Sequence, residues 1–320
     1  MIPALVLTAG LATRLRPLSL VRAKAVLPVA GTPLVHRILG RLQVAGIRDV
    51  VLNLHHLPSS ITGAVGDGSD LGLQVRYSWE NPVLGSAGGP RRAIPLLRTA
   101  GSGPATTFLI VNGDTLTDVS VADVVAAHRS SGALVTMAVV PNTEPKKYGG
   151  ALVDDNDAIT GFVRSGSTAP SWHVIGVQVA EMDAFADVPE NVPYESVRTL
   201  YPALIAARPG SVRAYRCRAE FFDIGTPGDY LATSLQFSTR ERHQGLIGIR
   251  SSVDPSARVE QSLIWDDVTV EAGVMLKECI VTDGVRVPAD TSWHGVSLRV
   301  ARGPLESGER EYQGMAIAAL

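Results

Sequence analysis

The sequence predicts an α/β chain: an open sheet with helices on both faces, followed by a short left-handed parallel β-helix. Three observations predict it. Short apolar runs alternate with helix-periodic segments over the first 140 residues, the pattern of a parallel sheet. After Pro141 the runs shorten and are separated by turns, which predicts added antiparallel strands and hence a mixed sheet. Beyond residue 250 the sequence repeats itself at a 17-residue offset.

The elements follow in order. Ile2–Leu7 is a buried strand that stops at Thr8-Ala9-Gly10. Pro33–Ala45 carries Leu34, Val35, Ile38, Leu39 and Leu42 at helical spacing, and Gly46 ends it. Val50–Leu54 and Leu73–Tyr77 are strands, and Ala87–Leu97 is a short helix despite Pro90 and Pro95. Phe108–Val111 is a buried strand ending at Asn112-Gly113-Asp114. Val121–His128 is helical and Ala133–Val140 extended. In the second half, Gly150–Asp154, Ile159–Arg164, His173–Val179 and Val212–Arg216 are strands; Arg198–Ala207 and Pro227–Phe237 are helices.

In the repeat, Ser262–Ala272 aligns with Cys279–Ala289, Val270 matches Val287, and Val253 matches Val270. Small and apolar residues recur about every six positions, as in hexapeptide coils; three unrelated β-hairpins are the alternative. The expected division is 1–240, 245–300 for the coils and 301–320 for a tail whose structure the sequence leaves open.

Composition excludes several classes of function. With 29 Lys and Arg against 31 Asp and Glu, the chain lacks the basic excess of a nucleic-acid binder. Its best apolar stretch, Ala133–Val140, is too short to span a bilayer, and the N-terminus lacks a basic leader pattern. Cys217 and Cys279 make neither a disulfide framework nor a zinc site. A cytoplasmic location is expected. Only four of the cations are lysines, Lys24, Lys146, Lys147 and Lys277, so a lysine in this arginine-rich chain carries information.

The densest chemical signal is Leu7-Thr-Ala-Gly-Leu-Ala-Thr-Arg14-Leu-Arg-Pro-Leu, followed by Ala23-Lys24-Ala-Val-Leu-Pro-Val. A strand end running into a small-residue loop offers backbone N–H groups to an anion, with Arg14 and Lys24 close behind in sequence. The Gly-Lys-Ser/Thr of a Walker loop and the Gly-x-Gly-x-x-Gly of a dinucleotide site are both missing. On these residues alone, a phosphate site and a plain strand–turn–helix with two surface cations have equal standing.

The segment resembles the signature of the sugar-1-phosphate nucleotidylyltransferases, Gly-x-Gly-Thr-Arg-Leu-x-Pro-Leu followed by Pro-Lys-x-Leu-x-Pro-Val. Four further stretches are similar to that family's motifs, in its order: Leu84-Gly85-Ser86-Ala87-Gly88, Val111-Asn-Gly-Asp114, Tyr148-Gly149, and Phe222-Asp223-Ile-Gly-Thr-Pro-Gly-Asp-Tyr. The β-helix tail also recurs there, notably in mannose-1-phosphate guanylyltransferases. The resemblance implies a Rossmann-like nucleotidyltransferase domain. It also implies a reaction in which an NTP and a sugar 1-phosphate give an NDP-sugar and pyrophosphate, with GTP and mannose 1-phosphate the first choice.

It further implies roles. The backbone of Ala9, Gly10, Leu11 and Thr13 wraps the nucleotide phosphates. Arg14 holds the β- and γ-phosphates, and Lys24 sits between the α-phosphate and the sugar phosphate. Asp114 and Asp223 ligate Mg²⁺. Glu80, Gly85 and Ser86 face base and ribose; Tyr148, Gly149 and Arg164 line the sugar pocket. No motif residue lies beyond 240, so the tail is expected to serve assembly into a homo-oligomer.

Departures from the family pattern are expected to matter. Ala12 stands at the usual second glycine, crowding the phosphate loop, and Ala23 at the usual proline. Val163 replaces a glutamate and Arg164 a lysine near the sugar, and His173–Gly176 occupies the place of an Asn-Ala-Gly. The catalytic half is intact and the sugar half altered, so a non-catalytic sugar-nucleotide-binding regulatory subunit is the rival expectation. Uridylyl or thymidylyl transfer is the rival within the enzyme class. Acyl transfer by the coils is disfavoured, since His294 lies past the last full repeat.

Overall fold

The computed structural model describes residues 2–99, 105–242 and 245–320. The chain forms two compact units: residues 1–10 with 35–222, and 11–34 with 223–320.

The first unit is built on a nine-stranded mixed sheet. Its main path runs Ile159–Val163, Gly150–Val153, Trp172–Glu181, Thr107–Asn112, Ala4–Leu7, Asp49–Leu54, Gln74–Trp79. Val135–Pro141 pairs with Trp172–Glu181, and Val212–Arg216 pairs in turn with Val135–Pro141. The last four strands of the path are mutually parallel, with Ala4 opposite Val50 on one side and Leu109 on the other. The strands added after Pro141 pair antiparallel, as expected, except Val212–Arg216, which is parallel to its neighbour. The two apolar rows Phe108/Ile110 and Val135/Met137/Val139 alternate along their strands and meet in one core with Ile94 and Leu97.

Most predicted elements stand within three residues of their expected bounds: Leu34–Val44, Gly85–Arg98 and Val121–Ser131 are helices. Arg198–Ala207 differs. Ser196–Leu200 winds as a wide π-turn before the α-helix Tyr201–Ala207 begins. A helix at Pro58–Val65 escaped prediction because only Ile61 and Val65 are buried and its remaining residues have poor helical propensity.

In the second unit the 17-residue repeat is a stack of parallel strands. Ser252–Val253, Thr269–Val270 and Arg286–Val287 form one ladder; Arg258–Glu260, Met275–Lys277 and Ser292–His294 form a second. Leu263–Ile264, Ile280–Val281 and Val296–Val300 form a third, and partners throughout differ by 17. The inward residues repeat likewise, with Ile264, Val281 and Leu298 stacked and Leu276 beside Trp293 in the core. The corners obey the same period. Arg250, Asp267 and Gly284 have φ values of 56°, 58° and 70°, and Gln261, Glu278 and Gly295 have 45°, 52° and 63°.

The structure of 301–320, which the sequence leaves open, is a hairpin: Met315–Ala319 pairs antiparallel with Val296–Val300, and Arg310–Tyr312 pairs with it in turn, so it covers one edge of the stack. The compact units are not continuous in sequence. The signature segment 11–34 packs with 223–320, because its side chains bond there: Arg22 to Asp266 and Asp283, and the Tyr230 hydroxyl to the Pro28 carbonyl.

Candidate active site

In an open parallel sheet, ligands bind beyond the carboxyl ends of the strands where the strand order reverses. That point lies between Ala4–Leu7 and Thr107–Asn112, since the chain moves outward from the first strand and then returns to its other side. The carboxyl ends of the four parallel strands carry Thr8–Gly10, Asn53, Glu80 and Asn112–Asp114.

Asn53 organises this edge. Its side-chain oxygen accepts from the backbone of Thr8 at 2.6 Å and of Ala9 at 3.3 Å, and its amide donates to Glu80 Oε1 at 2.8 Å. Glu80 Oε2 accepts the Leu84 N–H at 2.8 Å, at the start of the Gly85–Arg98 helix. Glu80 is only 4% exposed, with both oxygens engaged. Through Asn53 it braces the Thr8–Ala9 turn against the following helix; the family resemblance has it face base and ribose. A Cβ on Gly89 would lie 2.6 Å from Glu80 Oε1, so only glycine permits this close approach.

Gly85 has φ +75°, and a Cβ there would meet Glu195 Oε1 at 2.7 Å. Ser86 donates to Glu195 Oε2 at 2.9 Å and accepts from the Ser196 backbone at 2.8 Å. The N–H groups of Ala87 and Gly88 both point to the Tyr194 carbonyl. The start of this helix is therefore fixed by the Tyr194–Ser196 segment, which no local sequence signal announces.

Asp114 follows a turn that glycine makes possible. The Gly113 N–H donates to the Leu7 carbonyl at 3.0 Å, and a Cβ on Gly113 would sit 2.4 Å from that oxygen. Asp114 is thereby held beside the end of the first strand, with Thr115 Oγ1 donating to its Oδ1 at 3.1 Å.

On the expected sugar side, Tyr148, His173 and Phe221 form an aromatic cluster with centroid separations of 4.3, 5.8 and 4.7 Å. Gly149 runs against the backbone of Val163 and Arg164: a Cβ there would lie 2.7 Å from the Val163 carbonyl oxygen. Tyr148, Gly149 and Arg164 are thus brought together, and Arg164 is exposed. Phe221 was missed as a member of this wall, and His173 was singled out only as a departure from the family pattern. Burial pushes the His173 imidazole below its ordinary value, against the opposing pull of a Gly149 backbone hydrogen bond and of Glu144. Gly176, with φ +76°, supplies the bulge that seats this strand against Asn112.

The second unit carries Leu11, Thr13, Arg14, Lys24 and Asp223. Leu11 is 47% exposed at the mouth of the signature loop. Ala12 has φ 48°, ψ 44°, the left-handed conformation that favours glycine, and its carbonyl accepts from Leu15 N and Ser19 Oγ. The expected cost of this alanine was crowding of the loop; the structure shows a backbone cost as well. Thr13–Leu15 then makes one tight turn. At Gly225 three groups converge: Arg14 Nη1 lies 3.5 Å, and Asp223 Oδ2 and Asp229 Oδ2 each 3.3 Å, from the position a Cβ would take. Asp229 is also the N3 member of a capping box with Thr226, accepting at 3.0 Å and 2.9 Å, which fixes the Pro227–Arg240 helix start.

Lys24 opens a short turn, Lys24–Val26. Ala23 before it has φ −57°, and Arg22 has φ −131°, ψ 144°. These are the angles a proline and its predecessor would adopt, so alanine leaves this backbone in the shape the family's proline imposes.

Two family models match successive, slightly overlapping parts of the chain. The sequence model of the nucleotidyl transferase family matches residues 3–239, and that of the GlmU-like C-terminal hexapeptide matches residues 231–296. Mannose-1-phosphate guanylyltransferase of Mycobacterium tuberculosis is 29% identical over 304 residues, covering 86% of this chain and 83% of that one. UTP–glucose-1-phosphate uridylyltransferase of Synechocystis is 26% identical over 302 residues, covering 89% and 76%. The crystal structure of HddC from Yersinia pseudotuberculosis shares the fold, with a TM-score of 0.64 at 21% identity, covering 74% of this chain and all of that one. With its signature loop, its strand-end aspartate and a family match spanning 3–239, the chain belongs to the nucleotidyl transferase family.

Proposed function

We propose that this protein transfers a guanylyl group from GTP to mannose 1-phosphate, giving GDP-mannose and pyrophosphate. The observation that carries the assignment to phosphate chemistry is the nucleotidyl transferase match over residues 3–239, which includes the signature loop with Arg14 and Lys24. The choice of base and sugar is supported by likeness to the mycobacterial guanylyltransferase over most of both chains.

In this reading the sugar phosphate oxygen attacks the α-phosphorus, a new P–O bond forms, and pyrophosphate leaves in line. Such a transfer asks the protein mainly for positioning and charge stabilisation. The Ala9–Thr13 backbone holds the nucleotide phosphates. Arg14 holds the β- and γ-phosphates, whose charge grows as they leave. Lys24 offers a compact ammonium between the two phosphates that must approach. Tyr148, Gly149 and Arg164 seat the sugar phosphate partner.

Among the described residues no cluster of three or more His, Cys, Asp or Glu is placed to hold a metal. The carboxylates of Asp114 and Asp223 nonetheless suit Mg²⁺, which commonly takes one or two protein carboxylates and completes its shell with phosphate and water. When bound, Mg²⁺ would neutralise charge on the phosphates.

The experiment is pyrophosphate release from four NTPs against a panel of sugar 1-phosphates. Highest kcat/KM with GTP and mannose 1-phosphate supports the proposal. A preference for UTP and glucose 1-phosphate, the pair named for the Synechocystis relative, would replace it with the uridylyl reading. No turnover with any pair would favour the regulatory one.

A further inference from the structure

Two residues before Lys24 stands Arg22, a residue the transfer chemistry does not use. Its guanidinium is a fork closed on two carboxylates. Nε donates to Asp283 Oδ2 at 2.7 Å, and Nη2 donates to Asp283 Oδ1 at 2.7 Å and Asp266 Oδ2 at 2.6 Å. Asp266 and Asp283 are one repeat apart, the same position in successive coils, and are themselves tied: Asp266 N donates to Asp283 Oδ1, and Ile249 N to Asp266 Oδ1. The guanidinium lies 5.2 Å from the centre of the Trp265 ring.

Trp265 is 1% exposed, and its indole N–H donates to the Tyr230 hydroxyl at 3.0 Å. Tyr230 donates onward to the Pro28 carbonyl at 2.7 Å. The segment from Arg22 to Pro28 is therefore anchored at both ends, and both anchors lead to Trp265. Between them the Lys24–Val26 turn is closed by two local bonds, Val26 N to Ala23 O and Leu27 N to Lys24 O. A single tight turn of this kind does not fix its own place, and a four-carbon lysine stem is flexible. Its origin is set by the burial of Ala25 and Val26 together with what flanks it.

We propose that the coil stack is a working part of the active site: the Arg22–Asp266–Asp283 clamp, seated on Trp265, positions Lys24. Arg22 is a positioning residue, and the proposal rests on Lys24 acting as described under the proposed function. It replaces the expectation that the tail serves assembly alone.

The test uses the full chain. Arg22→Met keeps the stem over Trp265 and removes the fork; Arg22→Lys restores the charge without the two-carboxylate grip. The readouts are kcat, KM for GTP, and the acylation rate of each lysine by mass spectrometry under limiting reagent. Lys146 and Lys147 serve as internal standards, and Lys277, within the second ladder, reports the integrity of the coils. Arg22→Met is expected to lose about 100-fold in kcat, the scale of a ~1 Å misplacement, with KM for GTP little changed. Its Lys24 acylation should change several-fold while Lys277 stays at the wild-type rate, and Arg22→Lys should recover part of both.

Wild-type kcat and Lys24 acylation in Arg22→Met would overturn the proposal. If Lys277 changes together with Lys24, Asp283→Asn decides, since it removes one partner's charge while keeping an oxygen for the Asp266 N–H. A parallel change of both lysines there too would show general loosening and overturn the clamp; a change at Lys24 alone would support it. Lys24→Ala with full turnover would instead sink the catalytic reading, while Lys24 acylation in the Arg22 variants would still report on the clamp.

Discussion

Replacing Ala12 by glycine separates backbone strain from ligand contact in the signature loop. Ala12 sits at φ 48°, ψ 44°. An L-residue in that region costs about 1–2 kcal/mol relative to right-handed backbone, and glycine escapes most of it. Against this, glycine adds about 0.5–1 kcal/mol of backbone freedom to the unfolded chain. The difference leaves a stabilisation of about 0.5–1 kcal/mol. With a urea m value of about 2 kcal/mol/M, the midpoint should rise by roughly 0.3–0.5 M. Urea unfolding followed by circular dichroism reads this, and KM for GTP is measured on the same preparation. Ala30, at φ 45°, is the control for strain elsewhere. Ala12→Gly should lower KM for GTP if, as proposed, the loop holds the nucleotide phosphates, because it loses a methyl there; Ala30→Gly should leave KM unchanged. A fall in the urea midpoint for Ala12→Gly would refute the strain argument.

Four further outcomes follow from the same geometry. Trp265→Ala removes a fully buried indole and should cost about 3–5 kcal/mol in urea unfolding, while Trp265→Phe should cost clearly less; equal losses would show that the N–H bond to Tyr230, not packing, dominates. Gly113→Ala drives a Cβ to 2.4 Å from the Leu7 carbonyl oxygen, and should destabilise by about 1–3 kcal/mol; wild-type stability would mean the turn can move aside. Asp114→Ala and Asp223→Ala should each lower Mg²⁺-supported pyrophosphate release by about 100-fold or more with the fold retained; near-wild-type turnover would remove that residue from the metal assignment. For pH, burial keeps His173 neutral in the folded chain below the pH at which it titrates when unfolded. Its contribution is present above about pH 6.5 and is lost as pH falls from there through the lowered folded value. His173→Phe should flatten that part of the stability profile, and an unchanged profile would count against it.

What could be read from the sequence was whatever repeats or stops locally. Val253, Val270 and Val287 fall at one spacing because each coil must place the same side chain against the same neighbour, so the period is written in the residues. Strand ends were legible where apolar runs give way to Thr8-Ala-Gly10 or Asn112-Gly-Asp114. What stayed hidden depends on distance. Arg22 meets partners 244 and 261 residues away, and nothing near it in sequence announces them. Glu80 looked available for a ligand because its burial by Asn53 and Leu84 is a tertiary fact. The hairpin after 301 carries its strand pattern over only three to five residues, too few for alternation to stand out. Ala12 shows the reverse case: motif comparison flagged the position, and the dihedral angles supply its physical reason.

The central claim, that Lys24 lies between two reacting phosphates, is tested most directly by pre-steady-state pyrophosphate release from GTP and mannose 1-phosphate in Lys24→Arg, with GTP affinity measured alongside. Arginine keeps the charge but replaces a compact ammonium with a wide planar fork. The account predicts that turnover falls about 100-fold, the cost of a ~1 Å displacement, while GTP affinity stays near wild type because Arg14 and the loop backbone still hold the nucleotide. Wild-type turnover in this variant, or a loss of GTP affinity matching the loss of rate, would contradict it.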